Sequence, residues 1–427
     1  MSYDKYKDSN LTWLNKIPMS WRLERLERHC KIITGHPFNS DFFTFEGMPL
    51  IRIRDLKEKS TTLFWNQEYP NSAIIHNGDL LVGMDGDFDV VSWKGNHALL
   101  NQRILKIIAI NELSNEYLKY ILQFPITFIN ELTMSTTVKH LSVKDVNGII
   151  IPIPTKREQN QIANYLDKKT SLIDNTLDKN KKLIQLLEEK RVALINQVVT
   201  KGLNPDVPMK DSGVEWIGEV PDHWDISRLK FLISKNAQYG ANCEPESDET
   251  KFDYRYVRIT DIGDDASLKD NIVYLSKDNA KGFVLNEGDI LFARSGATVG
   301  KTYLYNATDG NCCFAGYLIR YVTNIHLLNP KYLLYFSFSK SYTEWIKIVS
   351  TQATIQNVSA DKYDNLIISL PDIDEQNAIV SYLDNEISNI NSVILKIKEN
   401  ITLLEEYKTS LIYHVVTGKI DVRGVEI

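Results

Sequence analysis

At 427 residues the chain is too long for one ordinary core, and two to four domains are expected. With 43% hydrophobic and 24% charged residues it has the composition of a folded protein, and its net charge of −6 excludes a chain that coats nucleic acid indiscriminately, because non-specific affinity comes from Lys and Arg on phosphates. No apolar run approaches the roughly 18 residues of a membrane span, and "MSYDKYKDSNLTW" lacks a signal-peptide core, so a cytoplasmic protein with no membrane partner is expected. The four cysteines, Cys30, Cys243, Cys312 and Cys313, show no Cys-x-x-Cys spacing and the histidines no ligand spacing, so neither a metal site nor a disulfide framework is expected.

In chain order, "WLNKIPMSWRLERL" (Trp13 to Leu26) opens a strand-rich segment that continues through "LIRIRDL" around Asp55 and "NGDLLVGMDG" (Asn77 to Gly86). A polar stretch "STTVKHLS" (Ser135 to Ser142) and "IIIPIPTKREQNQIANYLD" (Ile149 to Asp167) lead into a helix. After "TKGLNPDVPMKDSGVEWIG" (Thr200 to Gly218), whose Pro, Gly, Asp and Lys read as a linker, the same order returns. "WIGEVPDHWDISRL" (Trp216 to Leu229), "YVRITDI" around Asp261, "EGDILFARSG" (Glu287 to Gly296), "STQATIQNVS" (Ser350 to Ser359) and "LIISLPDIDEQNAIVSYLD" (Leu366 to Asp384) match the first half element by element. The chain is written twice.

Each half ends in a long helix with an apolar seam in steps of four and three. In the second helix the seam is Leu383, Ile387, Ile390, Ile394, Ile397, Ile401, Leu404, Leu411 and Val415, interrupted by Lys408. In the first it is Leu166, Ile173, Leu177, Ile184, Leu187, Leu194 and Val198, with Thr170, Asn180 and Arg191 as polar positions able to fix register. Residues 151–200 hold nine Lys/Arg against six Asp/Glu, whereas 371–427 hold five against ten, so the helices attract each other. The expected fold is α+β: two repeated mixed α/β domains separated by two long helices that pair as an antiparallel coiled coil, with quasi-two-fold symmetry. Parallel pairing is not excluded by the pattern. The expected boundaries are a first domain at 1–154, a helix at 155–200, a linker at 201–215, a second domain at 216–371, a helix at 372–418 and a tail at 419–427.

"FARSGATVGKT" (Phe292 to Thr302) imitates a nucleotide-binding loop, but Gly296 is one residue too close to Gly300, a strand-like run follows, and the first copy, "GMDGDFDVV", has no Gly-Lys-Thr. The paired W-x-x-x-[IV]-P-x-x-W openings, the G-D-[IL]-L strand before a glycine loop, the Pro followed by Glu-Gln-Asn at each helix head, and "VPMKDSGVEWIGEVPDHW" (Val207 to Trp224) together resemble the specificity subunit of a type I restriction-modification system, from Trp13 to about Lys419. That resemblance implies a non-catalytic DNA-binding subunit. Each domain becomes a target recognition domain for half of a bipartite double-stranded DNA target, and the helices dock two methyltransferase (M) subunits. Restriction (R) subunits complete a nuclease, and S-adenosylmethionine, ATP and Mg²⁺ belong to those partners, with no cofactor in this chain. The chain also lacks an Asn/Asp-Pro-Pro-Tyr/Phe loop and a G-x-G-x-x-G fingerprint, which agrees with the absence of a catalytic residue. A stand-alone DNA-binding or scaffold protein that has lost its enzyme partners is the alternative reading, with an enzyme in its own right as a third.

Base reading needs Arg, Lys, Asn or Gln at groove edges. Three repeated places offer them: Arg52, Arg54 and Lys57 with Arg258 and Thr260; the loop holding Arg294, Ser295, Thr298 and Lys301, opposite Met84, Asp85 and Asp87; and the polar stretches with Thr137, Lys139, His140, Gln352, Thr354, Gln356 and Asn357. The bland readings are a solvated strand face, a plain turn and solvated loops. Gly296 and Gly300 are expected to let backbone N–H groups approach a DNA phosphate. Glu158-Gln159-Asn160 and Glu375-Gln376-Asn377 are expected to serve the helix starts, and Trp13, Trp21, Trp216 and Trp224 to anchor cores.

Overall fold

The computed structural model describes residues 2–58, 61–132, 139–245, 254–350 and 357–425. The chain divides into two compact units, residues 1–180 with 399–427 and residues 181–398. The division falls within the two long helices, Lys156–Lys201 and Ile373–Val416, each nearly 70 Å long at about 1.5 Å per residue. Each unit therefore joins one globular domain to the start of its own helix and the end of the other.

The two units share one plan. In the first, four antiparallel strands run in the order Val90–Ser92, Leu80–Gly83, Ile104–Ala109, Cys30–Thr34. In the second the corresponding order is Thr302–Leu304, Ile290–Ala293, Leu318–Thr323, Ile233–Tyr239. A second sheet, five-stranded in the first unit and three-stranded in the second, holds one parallel pair in each, Met48–Ile51 with Ala98–Leu100 and Tyr254–Val257 with Cys312–Phe314. The strand after each opening tryptophan pairs with the strand that leads into the long helix, Arg22–Arg25 with Ile150–Ile153 and Asp225–Arg228 with Ile367–Leu370. That pairing fixes where each helix leaves its domain. Trp21 and Trp224 are fully buried, and Trp13 and Trp216 pack at the edges of the same cores.

Each long helix follows a proline by two residues and starts from a side-chain cap. Thr155 Oγ1 accepts the Glu158 N–H at 3.4 Å, and Asp372 Oδ1 accepts the Glu375 N–H at 2.8 Å. Just past the helix ends stand Gly202 (φ 76°) and Gly418 (φ 73°), in the left-handed conformation that closes a helix without Cβ strain. The seam residues lie on the least exposed stripe: Leu166, Ile173, Leu177, Leu383, Ile390, Ile394 and Leu411 are buried, and Ile184, Leu187, Ile387, Ile397, Ile401 and Leu404 half-buried.

Pairing is antiparallel. In the first unit Lys408 meets Asp174 at 2.5 Å and Asn180 donates to Asn400 at 3.1 Å, so one number rises as the other falls. In the second unit Arg191 donates to Asn391 Oδ1 at 3.1 Å, and Leu194, Ile195 and Val198 share a core with Leu383 and Ile387. Of the polar seam positions, Thr170 alone is satisfied on its own helix, donating to the Leu166 carbonyl at 2.7 Å.

The expected linker is in part structured: Met209–Asp211 pairs antiparallel with Glu219–Pro221, because Asp211 Oδ1 caps the turn at the Gly213 N–H, 2.9 Å away. The tail is anchored too, with Val422 buried in the first core and the Arg423 guanidinium 4.4 Å from the Tyr3 ring centroid. Among the described residues no helix is long and apolar enough to cross a membrane.

Candidate nucleic-acid interface

In each unit a central strand, Leu80–Gly83 or Ile290–Ala293, runs into a loop turned by Gly86 (φ 79°) or Gly296 (φ 72°). A Cβ at either glycine would meet nothing within 4 Å, so both loop tips face open space. The polar stretch before the last strand lies against this loop. Asp85 forms a bridge with His140 and the Leu141 N–H donates to the Met84 carbonyl at 2.7 Å; Ser295 bridges Asn357 and the Val358 N–H donates to the Arg294 carbonyl at 2.8 Å. Two places far apart in sequence thus form one site per unit.

The frames match but the side chains do not. In the first unit Asp85 is gripped from both sides, its Oδ1 2.7 Å from His140 Nδ1 and its Oδ2 accepting from Arg103 Nη1 at 3.3 Å, while Met84 belongs to the core. In the second, the residue matching Met84 is the half-buried Arg294, whose guanidinium lies 4.8 Å from the Tyr239 ring centroid and whose Nε donates to Asn357 Oδ1 at 3.4 Å. The Arg294 N–H donates to the carbonyl of Tyr317, a residue 61% exposed. Arg103 and Tyr317 occupy the same place, immediately before the strands Ile104–Ala109 and Leu318–Thr323. Neither they nor Tyr239 stood among the sequence candidates, although aligning "QRILKI" on "GYLIRY" marks the position. Lys139 is half-buried next to the exposed His140. Thr137, Gln352, Thr354 and Gln356 lie outside the described residues.

The other candidate place is scaffold in large part. Arg52 Nε and Nη2 donate to Asp55 at 3.0 and 3.3 Å, and Arg258 Nε and Nη2 donate to Asp261 at 3.0 and 2.8 Å; in both, the carboxylate also accepts the arginine's own backbone N–H. Asp261 is 3% exposed, and its hydrogen bonds hold the Arg258 guanidinium above its already high ordinary pKa. Each pair closes a turn through the Nε–Nη2 edge of its guanidinium and leaves Nη1 outside the pair, so both arginines hold the scaffold. Lys57 is paired with Asp89 at 2.9 Å, whereas Arg54 and Thr260 are exposed.

The phosphate-approach expectation at Gly300 is corrected. The N–H groups of Val299, Gly300 and Lys301 donate within the loop, to Gly296, Ala293 and Thr298, and Thr298 Oγ1 donates to the Ser295 carbonyl at 3.3 Å. The Lys301 ammonium is 2.7 Å from Asp264, and a Cβ at Gly300 would stand 3.0 Å from Ile346, so this glycine serves packing. The loop then enters the strand Thr302–Leu304, which leaves no helix N-terminus for a nucleotide.

The Glu-Gln-Asn copies hold the helix starts by more than charge. Gln159 is fully buried: its Oε1 accepts the Ser114 N–H at 2.9 Å and its Nε2 donates to the Glu112 and Pro154 carbonyls at 3.1 and 3.0 Å. Gln376 does the same with the Asn329 N–H at 2.8 Å and the Leu327 and Pro371 carbonyls, both at 2.9 Å. Glu375 Oε2 accepts from Trp224 Nε1 at 2.9 Å, and Glu158 accepts the Tyr3 hydroxyl. A second repeated tie went unread in the sequence. The buried Tyr117 hydroxyl contacts the Pro152 and Val416 carbonyls at 3.0 and 3.2 Å, and Tyr332 those of Ser369 and Val199 at 2.9 and 3.3 Å, tying in each unit the strand that leads into one long helix to the end of the other helix. No cluster of three metal-ligating side chains occurs among the described residues.

A duplicated rigid frame that presents unlike polar side chains at the same loop, carried on paired helices, defines a two-module recognition protein. The chain belongs to the family of type I restriction modification DNA specificity domains, whose model matches residues 18–189 and again 221–403. It is 26% identical over 407 residues to the type I restriction enzyme EcoBI specificity subunit of Escherichia coli, covering 91% of this chain and 85% of that one. It is 24% identical to the MjaVIII specificity subunit of Methanocaldococcus jannaschii over 98% of both chains. The fold is similar to the HsdS subunit from Thermoanaerobacter tengcongensis (TM-score 0.53, 17% identity, 97% of this chain and 100% of that one). It is also similar to a chain solved for the assembly and conformational transition of the type I R-M system (TM-score 0.68, 19% identity, 95% and 99%).

Proposed function

We propose that this chain is the sequence-reading, non-catalytic subunit of a type I restriction-modification complex, working in the cytoplasm. Each domain reads one half of a bipartite double-stranded DNA target through the loop at Gly86 or Gly296 and the polar stretch bridged to it. The observation that carries this reading is the duplicated frame with unlike side chains, Asp85, Arg103 and His140 against Arg294, Tyr317 and Asn357, since two readers of one split target need one geometry and two chemistries. Lys139, Arg54 and Thr260 add contacts around these sites.

The paired helices dock two methyltransferase subunits. Outside the seam they expose Leu172, Leu186 and Val192 on the first helix and Leu395, Leu403 and Tyr407 on the second, apolar surface of the kind that a partner covers. S-adenosylmethionine, ATP and Mg²⁺ act on the methyltransferase and restriction subunits.

The test is base-resolution mapping of N6-methyladenine in DNA from cells that co-express this chain with a cognate methyltransferase subunit, against cells lacking this chain. A new split motif with a fixed gap supports the role. Unchanged methylation by an intact purified complex refutes it and favours a stand-alone DNA binder.

A further inference from the structure

We infer that Arg294 reads a guanine, so that the half-site recognised by the second unit contains a G·C pair contacted by this side chain. The inference rests on the reading of the chain as a DNA-specificity subunit and goes beyond it to one residue and one base.

Three observations converge on Arg294. Its guanidinium is oriented before any ligand arrives, stacked on Tyr239 at 4.8 Å and held through Nε by Asn357 Oδ1 at 3.4 Å. Among the described residues its Nη1 and Nη2 atoms make no hydrogen bond, which leaves the two-donor end of the fork free. It also stands at the open Gly296 loop, where its backbone N–H donates to the carbonyl of the exposed Tyr317. Guanine offers two adjacent acceptors, N7 and O6, in the major groove, and a planar fork satisfies both at once.

Neighbouring arginines have carboxylate or carbonyl partners. Arg258 is closed on Asp261, Arg320 is bound to Asp289 at 3.2 Å and to the Val284 carbonyl at 3.0 Å, and Arg255 donates to the Lys269 carbonyl. In the first unit the matching residue is Met84, inside the core, and Arg103 is engaged by Asp85. The matching position in the first unit therefore offers no fork. The contact with the Tyr239 ring limits the rotamer freedom lost on binding.

The experiment compares the full chain with its Arg294→Lys, Arg294→Gln and Arg294→Ala variants, each in complex with the methyltransferase subunit, by the same methylation mapping and by competition binding to single-base variants of the motif. If the wild-type complex yields no split motif, the parent reading falls, and this inference with it. Given a split motif, the expected result is a loss of discrimination at one guanine of one half-site, roughly 5- to 150-fold, in all three variants, with the other half-site unchanged. Arg294→Lys keeps the charge and removes the fork, so it separates base reading from phosphate attraction. Uniform weakening across all sequences, full discrimination retained by Arg294→Lys, or relaxation at a base other than guanine overturns the assignment while the parent reading stands.

Discussion

The Oε1 of Gln376 accepts the backbone N–H of Asn329 at 2.8 Å, and 217 residues earlier Gln159 accepts that of Ser114 at 2.9 Å. Each glutamine also feeds two carbonyls, so one buried amide locks the head of each long helix to the loop before the tyrosine-bearing helix of its domain. Gln376→Leu keeps the volume and strands three polar groups. It is expected to cost about 3 kcal/mol in urea unfolding, whereas the neighbouring Asn377→Ala changes stability by much less.

Arg258 and Asp261 make a pair in which the carboxylate is buried and the guanidinium half-buried. Arg258→Met leaves a carboxylate 3% exposed without its cation, and a loss of about 3–5 kcal/mol is expected. Arg258→Met combined with Asp261→Leu recovers most of it. Thermal unfolding of the two variants checks this, and recovery shows that the pair closes a turn.

Along the helix pair, burial decides what matters. Leu177→Ala and Leu383→Ala each remove a buried side chain and are expected to cost about 2–5 kcal/mol. Lys408→Ala removes an ion pair that is 30% and 48% exposed and is expected to cost less than about 1 kcal/mol, with the cost shrinking further in high salt. Unfolding at low and high ionic strength separates the two.

Burial pushes the Cys30 and Cys313 thiols up to about 12 and Cys312 to about 11. Below the ordinary thiol pKa both folded and unfolded chains keep these protons, so their contribution to stability is complete. Above it the unfolded chain ionises first, and that contribution is lost as pH rises through 11 to 12. Stability is therefore expected to fall from about pH 9 to about pH 12. Iodoacetamide at pH 8 should spare all three thiols in the native protein and modify them once urea unfolds it, as mass spectrometry would show.

Much of this architecture was legible because it is periodic or repeated. The two openings, the two glycine loops and the two helix heads appear twice in "WLNKIPMSW" and "WIGEVPDHW" and their followers, and the step of four and three along Leu383 to Val415 set the seam. Direction and register were less legible. An apolar stripe buries itself against either orientation of a partner, and the contacts of Asp174 with Lys408 and of Arg191 with Asn391 select the antiparallel one. The site was legible only in outline. Arg52, Arg258 and Arg294 look alike as letters, yet a carboxylate three residues on takes the Nε–Nη2 edge of the first two, while the third lies over Tyr239 and is held through Nε by Asn357.

The sequence by itself determined the duplication, the paired helices and the polar character of the strand-end loops, because these follow from local pattern and from which residues must leave water. Only the tertiary structure decided that Asp85 meets His140 and Ser295 meets Asn357, and which arginines are tied to a neighbouring carboxylate. Those outcomes depend on chain segments more than fifty residues apart arriving at one sheet end, where hydrogen-bond geometry over a few ångströms assigns each side chain its partner.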